Sequence, residues 1–211
     1  MTNPQERLQQ AMMMLELGDI DDRLNALPVI AEAKHLPAVP FLVSWLPNAD
    51  PGTRYLIVKA LTQLPHDDAV PALLDALRWD DMWTRAAITA ALIANGSMLV
   101  IEGLSEALRD EKSAVRRASA KALGKIEVKT DTDAHIAVVR GLSAALLDVD
   151  DGVRRFAAEA LGRLGAEGKV SELTHALNDK NATVRIAAFR ALATLDTPEA
   201  RNAVHRWSKE Q

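Results

Sequence analysis

The chain has 211 residues, 48% of them apolar and 26% charged, which is enough for one or two domains with a buried core and excludes a wholly disordered chain. A formal net charge of −4 argues against a nucleic-acid-binding protein. The absence of cysteine excludes disulfides, a thiolate nucleophile and Cys-ligated zinc within this chain. Aromatic residues are only 4% of the chain, which favours helices over a strand-rich fold. No apolar run is long enough to cross a bilayer and the first residues lack the shape of a secretory signal, so a cytoplasmic location is expected.

The first predicted element is a helix over about Pro4 to Leu17, in the stretch MTNPQERLQQAMMMLELGD. It reads as the second half of a missing repeat, with Met12–Met14 as soft filler at one end of a stack. From there the chain repeats itself. Six segments align on one arginine each, Arg23, Arg54, Arg85, Arg116, Arg154 and Arg185, separated by 31, 31, 31, 38 and 31 residues. Self-similarity at a fixed period of this length is the signature of a solenoid. Six residues after the arginine stands Val29, Ala60, Ala91, Ala122, Ala160 or Ala191, and next to it Ile30, Leu61, Leu92, Leu123, Leu161 or Leu192. A small residue beside a large aliphatic one suits closely packed helices. The second half of each repeat carries an i, i+3, i+7 stripe, as in Val39, Leu42 and Leu46, then Val70, Leu73 and Leu77, then Ile101, Leu104 and Leu108. Pro65, Gly96, Gly165 and Pro198 separate the halves. Each repeat is therefore predicted to be helix, turn, helix, turn, with boundaries near 19–49, 50–80, 81–110, 111–148, 149–179 and 180–211. The fold class is all-α, a right-handed α-solenoid of six helical hairpins plus the N-terminal helix, forming one domain over 1–211.

Four residues before the arginine stand Asp19, Asp50, Asp81, Lys112, Asp150 and Asn181. Asp or Asn there caps the free N–H groups of a helix start. Stacking places the arginine and cap columns side by side, so acid–base contacts are expected between neighbouring repeats. In DGVRRFAAEALGRLG (151–165), Arg154 then belongs to the frame, while the second arginines, Arg117 and Arg155, point away and are expected in solvent.

Positions that break the pattern are the candidates for function. Tyr55, the only Tyr, follows Arg54, and RWDDMWTR (78–85) sets Trp79 and Trp83 around one turn with Asp81 and Arg85. Exposed Trp at a turn points to recognition. The candidate bilin- or partner-binding set is Arg54, Tyr55, Trp79, Asp81, Trp83 and Arg85. About seven extra residues at Glu127 to Asp133 account for the longer step and read as a surface loop. Trp45 and Trp207 occupy a column that is otherwise Ala76, Ala107, Ala145 and Ala176, and Trp207 is expected to cover the last helix. The five histidines show no metal-ligand spacing, and no GxSxG, P-loop or GxGxxG occurs, so catalytic residues are not assigned and no metal is expected.

DDGVRRFAAEALGRLG and DAVPALLDALRWDD resemble the HEAT-like repeats of the cyanobacterial phycobilin lyase family, over about Asp19 to Gln211. The length, and the layout around LVSWLPNADPGTRYLIVKALTQLPHDDAVPALLDAL, are similar to the F-type subunit of that family or to its relative that acts in phycobilisome degradation. The resemblance implies a phycobilin lyase subunit or bilin chaperone that positions an open-chain tetrapyrrole against a phycobiliprotein cysteine. It implies a phycocyanobilin-type bilin as substrate with no covalently bound cofactor, a phycobiliprotein subunit as partner, and an E-type subunit as a second partner. The Tyr-Cys-His signature of isomerising F-type members is missing here. A non-catalytic protein-binding adaptor, for example in phycobilisome degradation, is the second reading. A HEAT-like DNA glycosylase is a third, which the net negative charge disfavours.

Overall fold

The computed structural model describes residues 3–130 and 132–209, and every described element is helical. The helices are α1 (Pro4–Leu17), α2 (Ile20–Glu32), α3 (Val39–Trp45), α4 (Pro51–Gln63), α5 (Val70–Ala76), α6 (Met82–Asn95) and α7 (Met98–Ala107). They continue with α8 (Ser113–Leu123), α9 (Asp133–Ala145), α10 (Asp151–Arg163), α11 (Val170–Ala176), α12 (Ala182–Leu195) and α13 (Pro198–Lys209). Short 3₁₀ turns at 36–38, 67–69 and 167–169 lead directly into α3, α5 and α11. The fold class is an all-α solenoid of helical hairpins, as the period predicts.

The chain divides into two compact units, Met1–Val100 and Ile101–Gln211. In the first, α1 packs on α2, α2 on α4 and α4 on α6. In the second, α8, α10 and α12 pack in succession, while α9, α11 and α13 close their hairpins on α10 and α12.

The first helix of each repeat starts where its cap is placed. Asp19, Asp50, Asp81, Asp150 and Asn181 each accept a hydrogen bond from a backbone N–H of the first turn. Lys112 makes no such bond. The small–large pair then turns inward. Ile30, Leu61, Leu92, Leu123, Leu161 and Leu192 are all buried, as are the alanines beside them. Val29, the non-alanine member of that column, is only half-buried. The stripes on α3, α5 and α7 are buried throughout.

The glycine that follows ALA-type pairs has a specific reason. A Cβ on Gly124 would lie 2.7 Å from the Cβ of Ala160, and one on Gly162 would lie 2.7 Å from the Cα of Ala191. In α8 and α10, therefore, the glycine eight residues after the ladder arginine receives the alanine of the next repeat. Gly96 and Gly165 end their hairpin turns with φ of 59° and 64°, the left-handed region that an L side chain resists.

Two expectations change in detail. Within α1, Ala11 and Leu15 form the buried face and Met12 and Met14 are half-buried, but Met13 faces solvent. The extra residues of the 38-residue step are divided between loop 127–130 and a longer α9, capped by Thr132, which accepts the His135 N–H at 3.1 Å; Asp131 lies outside the described residues. Trp207 packs against Phe189 with ring centroids 5.7 Å apart, covering α12 from α13.

Candidate functional site

The ladder arginines come first, because their partners decide what is left over for function. Arg154 on α10 is 6% exposed. Its Nε and Nη2 donate to the carboxylate of Asp179 at 2.7 and 2.9 Å, and its Nη1 donates to the carbonyls of Asp148 and Val149 at 2.8 and 3.2 Å. Arg116 repeats the pattern with the carboxylate of Asp148 at 2.6 and 2.8 Å and the carbonyls of Asp110 and Glu111. Arg185 keeps the two carbonyl bonds, to Asp179 and Lys180. The acid that meets Arg116 or Arg154 thus stands six residues before the next ladder arginine, not four. The Asp or Asn at minus four caps its own helix, and Asp150 also takes Arg117 of the preceding repeat. The residue at minus six sits in the turn and is oriented by the N–H two residues on, Asp150 N–H to Asp148 at 2.9 Å and Asn181 N–H to Asp179 at 2.8 Å.

Electrostatics follow this geometry. The Arg154 fork holds the Asp179 carboxyl below the usual range. Burial pushes Asp148 up, but the hydrogen bond from Arg116 and its charge outweigh that and the net shift is downward. The second arginines are engaged, where the sequence suggested solvent. Arg117 holds Asp150 bidentately and brings it down to about 2. Arg155 pairs with Glu159 at 3.1 Å and lies 4.0 Å over the ring of Phe156.

In the N-terminal unit the same column carries an aromatic ring. Trp79 stands six residues before Arg85, where Asp110, Asp148 and Asp179 stand later. The Arg54 guanidinium sits 4.2 Å over the Trp79 ring, and its Nη2 donates to the Pro47 carbonyl at 2.7 Å. Arg85 donates to the carbonyls of Leu77, at 2.9 Å, and of Trp79 itself. Asp81 caps α6, accepting the N–H groups of Trp83 and Thr84 at 3.0 Å each and the Thr84 hydroxyl, which holds its carboxyl below the usual range. Structure therefore brings Arg54, Trp79, Asp81 and Arg85 together, but every one of these groups already serves the frame. The other two of the six, Tyr55 and Trp83, face outward at 39% and 71% exposure, with Leu56 and Met82 beside them in sequence and also exposed. Recognition by apolar contact is the chemistry this surface offers.

A second feature lies in the C-terminal unit. A groove of about 910 Å³ runs between α9, α11 and the turns that follow them. Arg140, Lys180 and His175 line it, with Leu147 at its rim and Val149 beside it. Leu147 and Val149 are 78% and 89% exposed. Among the described residues no group of three or more His, Asp or Glu side chains is placed to hold a metal ion, and no helix is long and apolar enough to cross a membrane.

Residues 11–93 and 139–210 match the family model for HEAT repeats. The chain belongs to the HEAT-repeat family. No curated protein matches it. Among solved structures, an engineered protein is similar at 22% identity, covering 92% of this chain and 97% of its own, with a TM-score of 0.55. A designed armadillo repeat protein in complex with the peptide (KR)4 is similar at 17% identity, covering 90% and 100%, with a TM-score of 0.57. The complex of CpcE and CpcF of phycocyanin lyase from Nostoc sp. PCC7120 is similar at 25% identity, covering 74% of this chain and 98% of that one, with a TM-score of 0.57.

Two features of this HEAT-repeat chain escaped sequence reasoning. The acid column at minus six was legible, since three Asp recur in it, but only once alignment was extended into the turns. Leu147 and Val149 were legible as well. They fall seven and five before Arg154, in columns otherwise held by Glu16, Pro47, Arg78, Arg109 and Asn178, and by Gly18, Ala49, Asp80, Glu111 and Lys180.

Proposed function

We propose that this HEAT-repeat protein acts on phycobiliproteins, as a lyase subunit or bilin chaperone that positions an open-chain tetrapyrrole for attachment to, or removal from, a phycobiliprotein cysteine. The observation that carries this reading is the similarity to the CpcE–CpcF complex of phycocyanin lyase, which spans 74% of this chain and nearly all of that one. The DDGVRRFAAEALGRLG resemblance is consistent with it. Attachment adds a thiol S–H across a bilin double bond: sulfur bonds one carbon, the proton goes to the other, and nothing is oxidised. Since this chain has no cysteine, the thiol comes from the target, and the contribution of this chain is to bind and orient. Within the candidate set, Tyr55 and Trp83 meet the partner or the flat face of the bilin, while Arg54, Trp79, Asp81 and Arg85 hold that surface in place. An E-type partner subunit belongs to the same reading.

The second reading, a non-catalytic adaptor in phycobilisome degradation, is favoured by one observation: the charged members of the candidate set, Arg54, Asp81 and Arg85, each make frame contacts, leaving an exposed aromatic surface suited to protein contact. Co-expression with a phycobiliprotein subunit and phycocyanobilin, with and without an E-type subunit, separates the two. Bilin that stays on the subunit after denaturation supports the lyase. Co-purification with no bilin transfer supports the adaptor, and the absence of both bilin transfer and co-purification refutes both readings.

A further inference from the structure

We propose that the groove between α9 and α11 is a binding site for an elongated amphiphile that carries two carboxylates, with Arg140 and Lys180 as the carboxylate-binding residues. The argument begins with charge. The carboxylates that line the groove are already neutralised: Asp148 by Arg116, Asp179 by Arg154, and Glu172 by Lys169 at 2.9 Å. Arg140 and Lys180 line the same groove, are exposed, and have no ion-pair partner among the described residues. The groove therefore offers two cations that no salt bridge among the described residues engages, with His175 also lining it, and matches a dianion.

The second argument is apolar surface. Leu147 rims the groove and Val149 lies in the same turn, in columns that the other repeats leave without a large aliphatic side chain. That surface gains from covering by a hydrocarbon or a conjugated plane. A volume of about 910 Å³ lies within the range of small-molecule sites. The choice of an open-chain tetrapyrrole, which bears two propionates, as the member of this class rests on the function proposed above.

The test uses the full chain and two probes, biliverdin and a long-chain α,ω-dicarboxylic acid. Biliverdin binding is read from its visible absorption, and the diacid by calorimetry. Arg140→Ala and Lys180→Ala are each expected to weaken both about fivefold, and biliverdin dimethyl ester is expected to bind the unaltered chain more weakly than the diacid form. Arg201→Ala, a surface cation outside the groove, is expected to leave both affinities unchanged. Diacid binding that depends on Arg140 and Lys180, without biliverdin binding, sustains the groove and overturns the tetrapyrrole reading. Biliverdin binding that ignores both substitutions overturns the groove and leaves the function standing. Binding of neither probe overturns the site.

Discussion

Arg154→Ala removes more from this protein than any neighbouring charge, and its cost follows from the contacts. The side chains of Arg154 and its partner Asp179 are 7% and 12% exposed. Truncation leaves that carboxylate without its two short bonds and leaves the carbonyls of Asp148 and Val149 without their shared donor. Breaking a buried pair from one side costs about 3–5 kcal/mol. Asp179 still accepts the Asn181 N–H and still feels Lys180, so the low end, about 3 kcal/mol, is expected. Arg155→Ala, one residue on, is the internal control. Its side chain is 35% exposed and its partner Glu159 40% exposed, so a loss under about 1 kcal/mol is expected. Arg154→Lys keeps the charge but not the fork and recovers only a minor part. Urea unfolding followed by circular dichroism measures the difference, and amide exchange locates it on α10 and α12. If Arg154→Ala costs no more than Arg155→Ala, the pairing of the ladder with the acid at minus six is not what holds these repeats together.

Gly162→Ala is expected to cost about 1–3 kcal/mol, because the new methyl meets backbone and Cβ of Ala191, neither of which can swing aside; Gly168→Ala, with nothing within 4 Å, is expected to be far milder in the same melt. Trp79→Ala should lose about 2 kcal/mol through the Arg54 contact and its packing, whereas Trp83→Ala stays within about 0.5 kcal/mol at 71% exposure. Acid titration should show the carboxylate side of the frame. The folded Asp150 titrates at about 2 against an ordinary 3.8, so its contribution is full above pH 4 and is lost as pH falls toward 2. That contribution is about 1–2 kcal/mol once the half-exposed Arg117 is discounted, and Asp150→Asn should flatten the acid limb of stability against pH.

Much of this architecture was legible because its causes are local and recur. A cap acts within four residues, a helical stripe within seven, and the arginine column returns every 31 residues, so the hairpins, their starts and the structural standing of Arg154 could all be read from order alone. The same logic marked Trp79 and Trp83 as departures. It could not divide them: one lies under the Arg54 guanidinium of its own repeat and the other faces solvent. Sequence by itself determined that this is a helical solenoid framed by arginines. Tertiary structure alone decided what each arginine meets, because that depends on how the turn closing each hairpin folds back onto its first helix. Contacts such as Arg116 to Asp148 and Arg154 to Asp179 join residues 32 and 25 apart. In the same way, only packing left Arg140 and Lys180 without a salt bridge among the described residues, by giving the carboxylates that line the groove to Arg116, Arg154 and Lys169.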